Sequence, residues 1–224
     1  MVKLIIVGDS TAATKMTDKR PETGWGEKIP TFLSPEVTVI HLAMNGRSTK
    51  SVIQEKRLLH AEQLLASGDY FLIQFGHNDQ KTDPERGTTP KEYQENLAQF
   101  VAVAQKKQAN PVLLTSITRL KFHQNNDLDP LAMGPYSEAM REFAAAFEIP
   151  CLDIFKMTQN YFSTFASGEA RQYFLHLSKN EHPNYPEGIS DNTHLNDQGA
   201  LIVARLICQA IKESNLALSS EILL

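Results

Sequence analysis

Lys3-Leu4-Ile5-Ile6-Val7-Gly8-Asp9-Ser10-Thr11 stands almost at the start of the 224-residue chain. Leu4 to Val7 form an unbroken apolar run, the pattern of a strand buried on both faces of a parallel sheet. Gly8 permits a backbone that residues with a β-carbon resist. The junction from strand to an expected helix then falls on Asp9, Ser10 and Thr11. Ligands of open α/β sheets bind beyond the carboxyl ends of the strands, so topology exposes a serine placed there. Taken alone, the same three residues also suit the cap of the next helix.

Working outward, further apolar runs repeat the pattern. Residues 37–42, with β-branched Val37, Val39 and Ile40, read as a second strand running into Asn45-Gly46-Arg47-Ser48. Residues 69–75 read as a third, delivering Gly76-His77-Asn78-Asp79. Residues 111–117 and 149–154 supply a fourth and a fifth. Between them lie helical patterns: one near 26–33, one from 52 to about 66 with Ser48 as its cap, and one opening at Thr89-Pro90. Others cover 136–147 and 155–176, and a last helix carries Ala200, Val203, Ala204, Ile207 and Ile211 on one face. Residues 118–133 and 178–190 read as loops, and the tail after 215 is unassigned. Strands alternating with helices imply a three-layer α/β/α architecture around a central, mainly parallel five-stranded sheet. No repeat or linker divides the chain, so residues 1–224 are expected to form a single domain.

Composition narrows the function. Hydrophobic residues make up 42% and charged residues 21%, ordinary for a soluble globular protein. A net charge of -4 argues against a nucleic-acid partner. Cys151 and Cys208 lie in apolar surroundings and read as buried thiols rather than a disulfide framework. Trp25, the single tryptophan, is expected to pack in the core. No stretch has the length of a membrane span, and no basic-then-apolar leader precedes the first strand. A cytoplasmic protein without a membrane partner is the expectation.

Four loops that follow strand ends or precede the last helix carry chemistry: Gly8-Asp9-Ser10, Asn45-Gly46, Gly76-His77-Asn78-Asp79 and Asp191-x-x-His194. The first three open on one edge of a parallel sheet. Serine needs a base in contact to act as a nucleophile, and His194 can be that base. Asp191 can sit behind the imidazole, fix its tautomer and stabilise the imidazolium. The Ser10 and Gly46 backbone N–H groups and the Asn78 amide can receive an oxyanion.

These four blocks, in this order, resemble those of the SGNH (GDSL-type) hydrolases across nearly the whole chain. Residue by residue, the resemblance makes Ser10 the nucleophile, Asp191 and His194 the rest of the triad, and Gly46 and Asn78 oxyanion donors beside Ser10. It implies a flavodoxin-like strand order and no metal or cofactor. Gly8-Asp9-Ser10-Thr11, Asn45-Gly46-Arg47-Ser48, Asp191-Asn192-Thr193-His194-Leu195 and the run Pro183-Asn184-Tyr185-Pro186 are more narrowly similar to bacterial rhamnogalacturonan acetylesterases. That resemblance implies an esterase that removes acetyl groups from pectic oligosaccharides. His77 and Arg47 are the expected substrate contacts, because Arg47 follows Gly46 directly and its planar fork suits a uronate carboxylate. A metallophosphoesterase would need more His and carboxylate ligands than these blocks supply. A non-catalytic carbohydrate-binding protein would have no use for Ser10, Asp191 and His194 together.

Overall fold

Five strands pair side by side in the order β2-β1-β3-β4-β5, and every pairing is parallel. They are β1 (Val2–Gly8), β2 (Val37–His41), β3 (Tyr70–Gln74), β4 (Asn110–Leu114) and β5 (Cys151–Leu152). The structure is a computed structural model, and it describes residues 2–123, 127–166 and 168–224. Residues 124–126, part of the expected 118–133 loop, lie outside the described residues.

The period of two along β1 divides the core. Leu4 and Ile6 face one side, with Leu72, Val112, Trp25, α5 (Ile154–Phe162) and α6 (Asp197–Lys212). Ile5 and Val7 face the other, with Phe71, Ile73, Leu113, α1 (Thr49–Gln54), α2 (Arg57–Leu64), α3 (Pro90–Lys106) and α4 (Tyr136–Ala146). The result is the expected three-layer α/β/α sandwich, and Trp25 is wholly buried in it. Both cysteines are free, and burial pushes each thiol up to about 12. Among the described residues, no helix is long and apolar enough to cross a membrane.

Four local expectations need correction. No helix follows β1: Ala12 and Ala13 N–H both return to the Asp9 carbonyl, closing a tight turn instead. The helix expected from 52 to 66 is two helices, because Lys56 adopts a left-handed φ of 58° between them. The helix expected over 155–176 ends as α5 at Phe162, and Phe174–Leu177 is strand β6. β6 pairs antiparallel with β7 (Ile189–Leu195), so the Asp191-x-x-His194 block lies on a strand and not in a loop. The unassigned tail forms a 3-10 turn, Ala217–Glu221, that buries Leu218 and is followed by buried Ile222.

Strand order places the functional segments. β1 sits between β2 and β3; the connection leaving β1 runs to β2 on one side and the one leaving β3 runs to β4 on the other, and the crevice between them is where such sheets bind ligands. Gly8 ends β1 opposite Gln74, the last residue of β3. The loop carrying Ser10 and the loop carrying His77, Asn78 and Asp79 therefore open next to each other.

Candidate active site

The Ser10 turn is held from beneath by buried polar groups. Asp9 is wholly buried, and its Oδ1 accepts from the Thr11 N–H at 2.9 Å and the Thr11 hydroxyl at 2.8 Å. Gln74 donates to Asp9 Oδ2 at 3.2 Å. Gly8 serves this turn by its smallness, not by a left-handed backbone: a β-carbon there would lie 2.8 Å from the Gln74 carbonyl.

Ser10 Oγ is 2.9 Å from His194 Nε2, and His194 Nδ1 is 2.7 Å from Asp191 Oδ2. The other Asp191 oxygen accepts the Thr193 and His194 N–H groups at 2.7 and 3.0 Å. Burial works to raise the Asp191 carboxyl, but the hydrogen bond and charge of His194, with those backbone donors, hold it down at about 2. Residues three apart on a regular strand face opposite ways. Here Phe174 pairs with Leu195 and its neighbour Leu175 with Asp191. That bulge gathers residues 192–194 into a bend, which turns His194 toward Asp191.

Gly46 takes a left-handed φ of 74°, which glycine adopts at little expense. The Asn78 amide is almost fully buried and donates to the Arg47 carbonyl at 3.0 Å, leaving its second N–H for a ligand. Asp79 anchors the same loop to α1 by accepting from Thr49 N–H at 3.1 Å and from the Thr49 hydroxyl. Burial raises the Asp79 carboxyl to about 7.

Ser10, Gly46, His77, Asn78, Asp191 and His194 line one cleft of about 530 Å³. His77 is buried, and burial lowers its imidazole to about 4. Its neutral Nδ1 accepts from Arg119 Nε at 3.1 Å. Arg47 is the expected contact that the fold does not bring in. Its Nε lies 3.1 Å from both Glu55 oxygens and its Nη1 donates to the Asn45 carbonyl at 3.0 Å. The side chain lines a neighbouring depression with Glu55, Glu85 and Arg86. Its carbonyl, which steadies Asn78, serves the cleft instead.

Glu22, Lys81 and Arg119 border the cleft and carried no sequence signal of their own; Lys19 and Tyr185 border it as well. The run at 183–186 was the available clue to one of them. Asn184 donates to the carbonyls of Thr17 and Arg20 at 2.8 and 2.9 Å, and the Tyr185 hydroxyl to that of Lys19 at 3.0 Å. These bonds tie the 17–20 turn to the ribbon and make one wall. Among the described residues, no cluster of three His, Cys, Asp or Glu side chains is placed to hold a metal ion.

The chain matches the GDSL-like lipase/acylhydrolase family over residues 6–202. It is 36% identical over 222 residues to the rhamnogalacturonan acetylesterase RhgT of Bacillus subtilis (strain 168), spanning 99% of this chain and 94% of that protein. It is 32% identical to the probable rhamnogalacturonan acetylesterase YesY of the same strain, spanning 98% and 97%. Among solved structures, protein YxiM of Bacillus subtilis superposes with a TM-score of 0.81 at 21% identity, over 96% of this chain and 57% of that one.

Proposed function

The chain belongs to the GDSL-like lipase/acylhydrolase family and is a carboxylic ester hydrolase, and from that premise we propose that it removes O-acetyl groups from pectic oligosaccharides through Ser10, His194 and Asp191. The observation that carries the reading is the continuous chain of two hydrogen bonds from Ser10 Oγ through the imidazole to Asp191. Ser10 Oγ attacks the acetyl carbonyl as its proton passes to His194 Nε2. Asp191 stays ionised behind Nδ1 and stabilises the imidazolium. The Ser10 and Gly46 N–H groups and the free Asn78 N–H receive the oxyanion. The imidazolium returns its proton to the departing sugar hydroxyl. Water activated by the same imidazole then releases acetate from the acyl-enzyme. Ser10 and His194, 184 residues apart in sequence, meet in this site, which favours one domain over residues 1–224.

Two features support a pectic substrate. RhgT and YesY, the two relatives above 30% identity, carry rhamnogalacturonan acetylesterase in their names and span nearly the whole chain. The cleft also carries three cationic side chains, Lys19, Lys81 and Arg119, on its lining. Among the described residues, Lys81 and Arg119 make no ion pair; the Arg119 guanidinium is spent on His77 Nδ1 and the His77 carbonyl. An acidic sugar would neutralise these cations, the role expected of Arg47.

Acetate release from acetylated rhamnogalacturonan fragments and from neutral acetylated xylo-oligosaccharides tests the reading. The expected outcome is preference for the acidic fragments, reduced in Lys81→Gln and unmoved in Arg47→Ala. Ser10→Ala is expected to lose about a millionfold in turnover on either substrate. A folded Ser10→Ala protein with near wild-type turnover ends the serine-esterase reading. Equal rates on both sugars end only the pectic one.

A further inference from the structure

Lys15 is a cation buried under the site. Its side chain is 1% exposed, although it follows the Ser10 turn by only a few residues. The ammonium has three N–H donors and three acceptors from three separate segments. It donates to the Ser10 carbonyl, to Asn45 Oδ1 at 2.7 Å and to the Glu22 carboxylate at 2.7 Å. With every donor engaged, Lys15 is neither a base nor a nucleophile. It does not line the cleft, so whatever it does for the reaction passes through these partners.

Two of the partners adjoin oxyanion donors. Ser10 contributes its own N–H, and Asn45 immediately precedes Gly46. The third, Glu22, borders the cleft, and its Oε1 lies 4.0 Å from His194 Nε2. A bare carboxylate at that distance from the reacting atoms would oppose negative charge growing on the tetrahedral intermediate. A low-dielectric, water-poor site makes such repulsion larger than it would be in water.

We propose that Lys15 is a positioning residue for acyl transfer: its buried ammonium spaces the Ser10 and Gly46 oxyanion donors and cancels the Glu22 charge beside His194. This rests on the serine-esterase reading above. Both effects act on the transition state and not on the bound ester, so they belong in kcat and not in KM.

The test uses the full chain, 4-nitrophenyl acetate as substrate and an organophosphonate to count folded, reactive sites. Lys15→Met is expected to lower kcat per titrated site about a hundredfold, the scale of one lost oxyanion donor, with KM within about threefold of wild type. Lys15→Met combined with Glu22→Gln removes both charges. It is expected to regain about tenfold of that kcat, because the uncancelled carboxylate is gone while the spacing defect remains. A lysine that is only a structural strut would lower the number of titratable sites and leave kcat per site unchanged, which overturns the proposal. So does a double variant no faster than Lys15→Met. Should the single variant not fold, the double variant still decides: wild-type kcat per site in it removes the spacing role. Wild type and Ser10→Ala are run alongside. Absence of turnover in wild type, or its persistence in Ser10→Ala, counts against the esterase reading and not against Lys15.

Discussion

Ser10 and Asn78 hang from β1 and β3, central strands whose apolar residues are buried on both faces, whereas Asp191 and His194 stand on a two-stranded ribbon that is half open to solvent. The sheet side is over-determined. Asp9, Gln74, Asp79 and Thr49 are all buried and bonded to one another's loops. An isolated two-stranded ribbon is marginal in water. This one is pinned by Phe174, Leu175 and Leu195, each at most 2% exposed. Asn196 ties its end by donating to the Gln172 and Phe174 carbonyls at 2.6 and 3.2 Å. One half of the site is thus rigid because it is core, and the other because it is tethered. The difference separates residues whose loss damages chemistry from those whose loss damages stability.

After loss of the Ser10 nucleophile itself, the largest effect expected is that of Asp191→Asn. It keeps the shape of the ribbon but presents the wrong tautomer to Ser10, and a comparable change lowers turnover about ten-thousandfold. The side-chain carbonyl of the variant can still accept the Thr193 and His194 N–H groups, so the melting temperature should fall far less than turnover does. A large drop in melting temperature with modest loss of turnover would make the ribbon, not the sheet, the fragile chemical half. Next comes Asn78→Ala on the sheet side, expected to lower kcat about a hundred- to a thousandfold, or about 2.7–4 kcal/mol, with KM nearly constant. A rise in KM at unchanged kcat would place Asn78 in ground-state binding.

The third effect sets the buried side against pH. His77 is lowered to about 4, so the fold holds it neutral while the unfolded chain protonates it below its ordinary 6.5. Its contribution is complete above 6.5 and lost as pH falls toward 4. Asp79 is raised to about 7, so its contribution is complete below 3.8 and lost as pH rises toward 7. Across pH 4 to 6.5 the two slopes oppose and offset each other in wild type. His77→Gln leaves Asp79 alone, and stability should then fall by about 3 kcal/mol as pH rises through that window. Asp79→Asn should rise by about as much. Urea unfolding at pH 4 and 6.5 reads both, and parallel lines for the two variants would refute the assignment. Asp191, held at about 2, enters only below pH 3.8, where stability is lost as pH falls.

The smallest effect sharpens the tether. Asn196 Oδ1 caps α6 by accepting from Gly199 N–H at 3.0 Å. Asn196→Ala should lower stability by about 1 kcal/mol. Amide exchange should quicken in β6 and β7 and stay unchanged in β1 and β3. Uniform acceleration would mean that the ribbon and the sheet open as one unit.

Legibility followed the same division. The runs at 4–7 and 71–73 are apolar without interruption, so burial on both faces announced β1 and β3 locally. Ser10, Gly46, Asn78, Asp191 and His194 were readable because each block pairs a special residue type with a fixed neighbour. β7 was not readable: Asp191-Asn192-Thr193-His194 is polar throughout and becomes a strand only by pairing with β6. The break at Lys56 was equally hidden, since the helical periodicity runs through it.

The amino-acid sequence by itself determined which strands form the sheet, which turn carries the serine, and which five residues we propose for acyl transfer. Those depend on side-chain type and on neighbours a few positions away. Tertiary structure alone decided that Asp191 and His194 face each other across a bulge, that Arg47 turns to Glu55 while Arg119 backs His77, and that Lys15 is buried beneath Ser10. Each of these rests on where distant segments of the chain come to lie. A cation's role is set by which carboxylate or carbonyl reaches it first, and no local pattern encodes that competition.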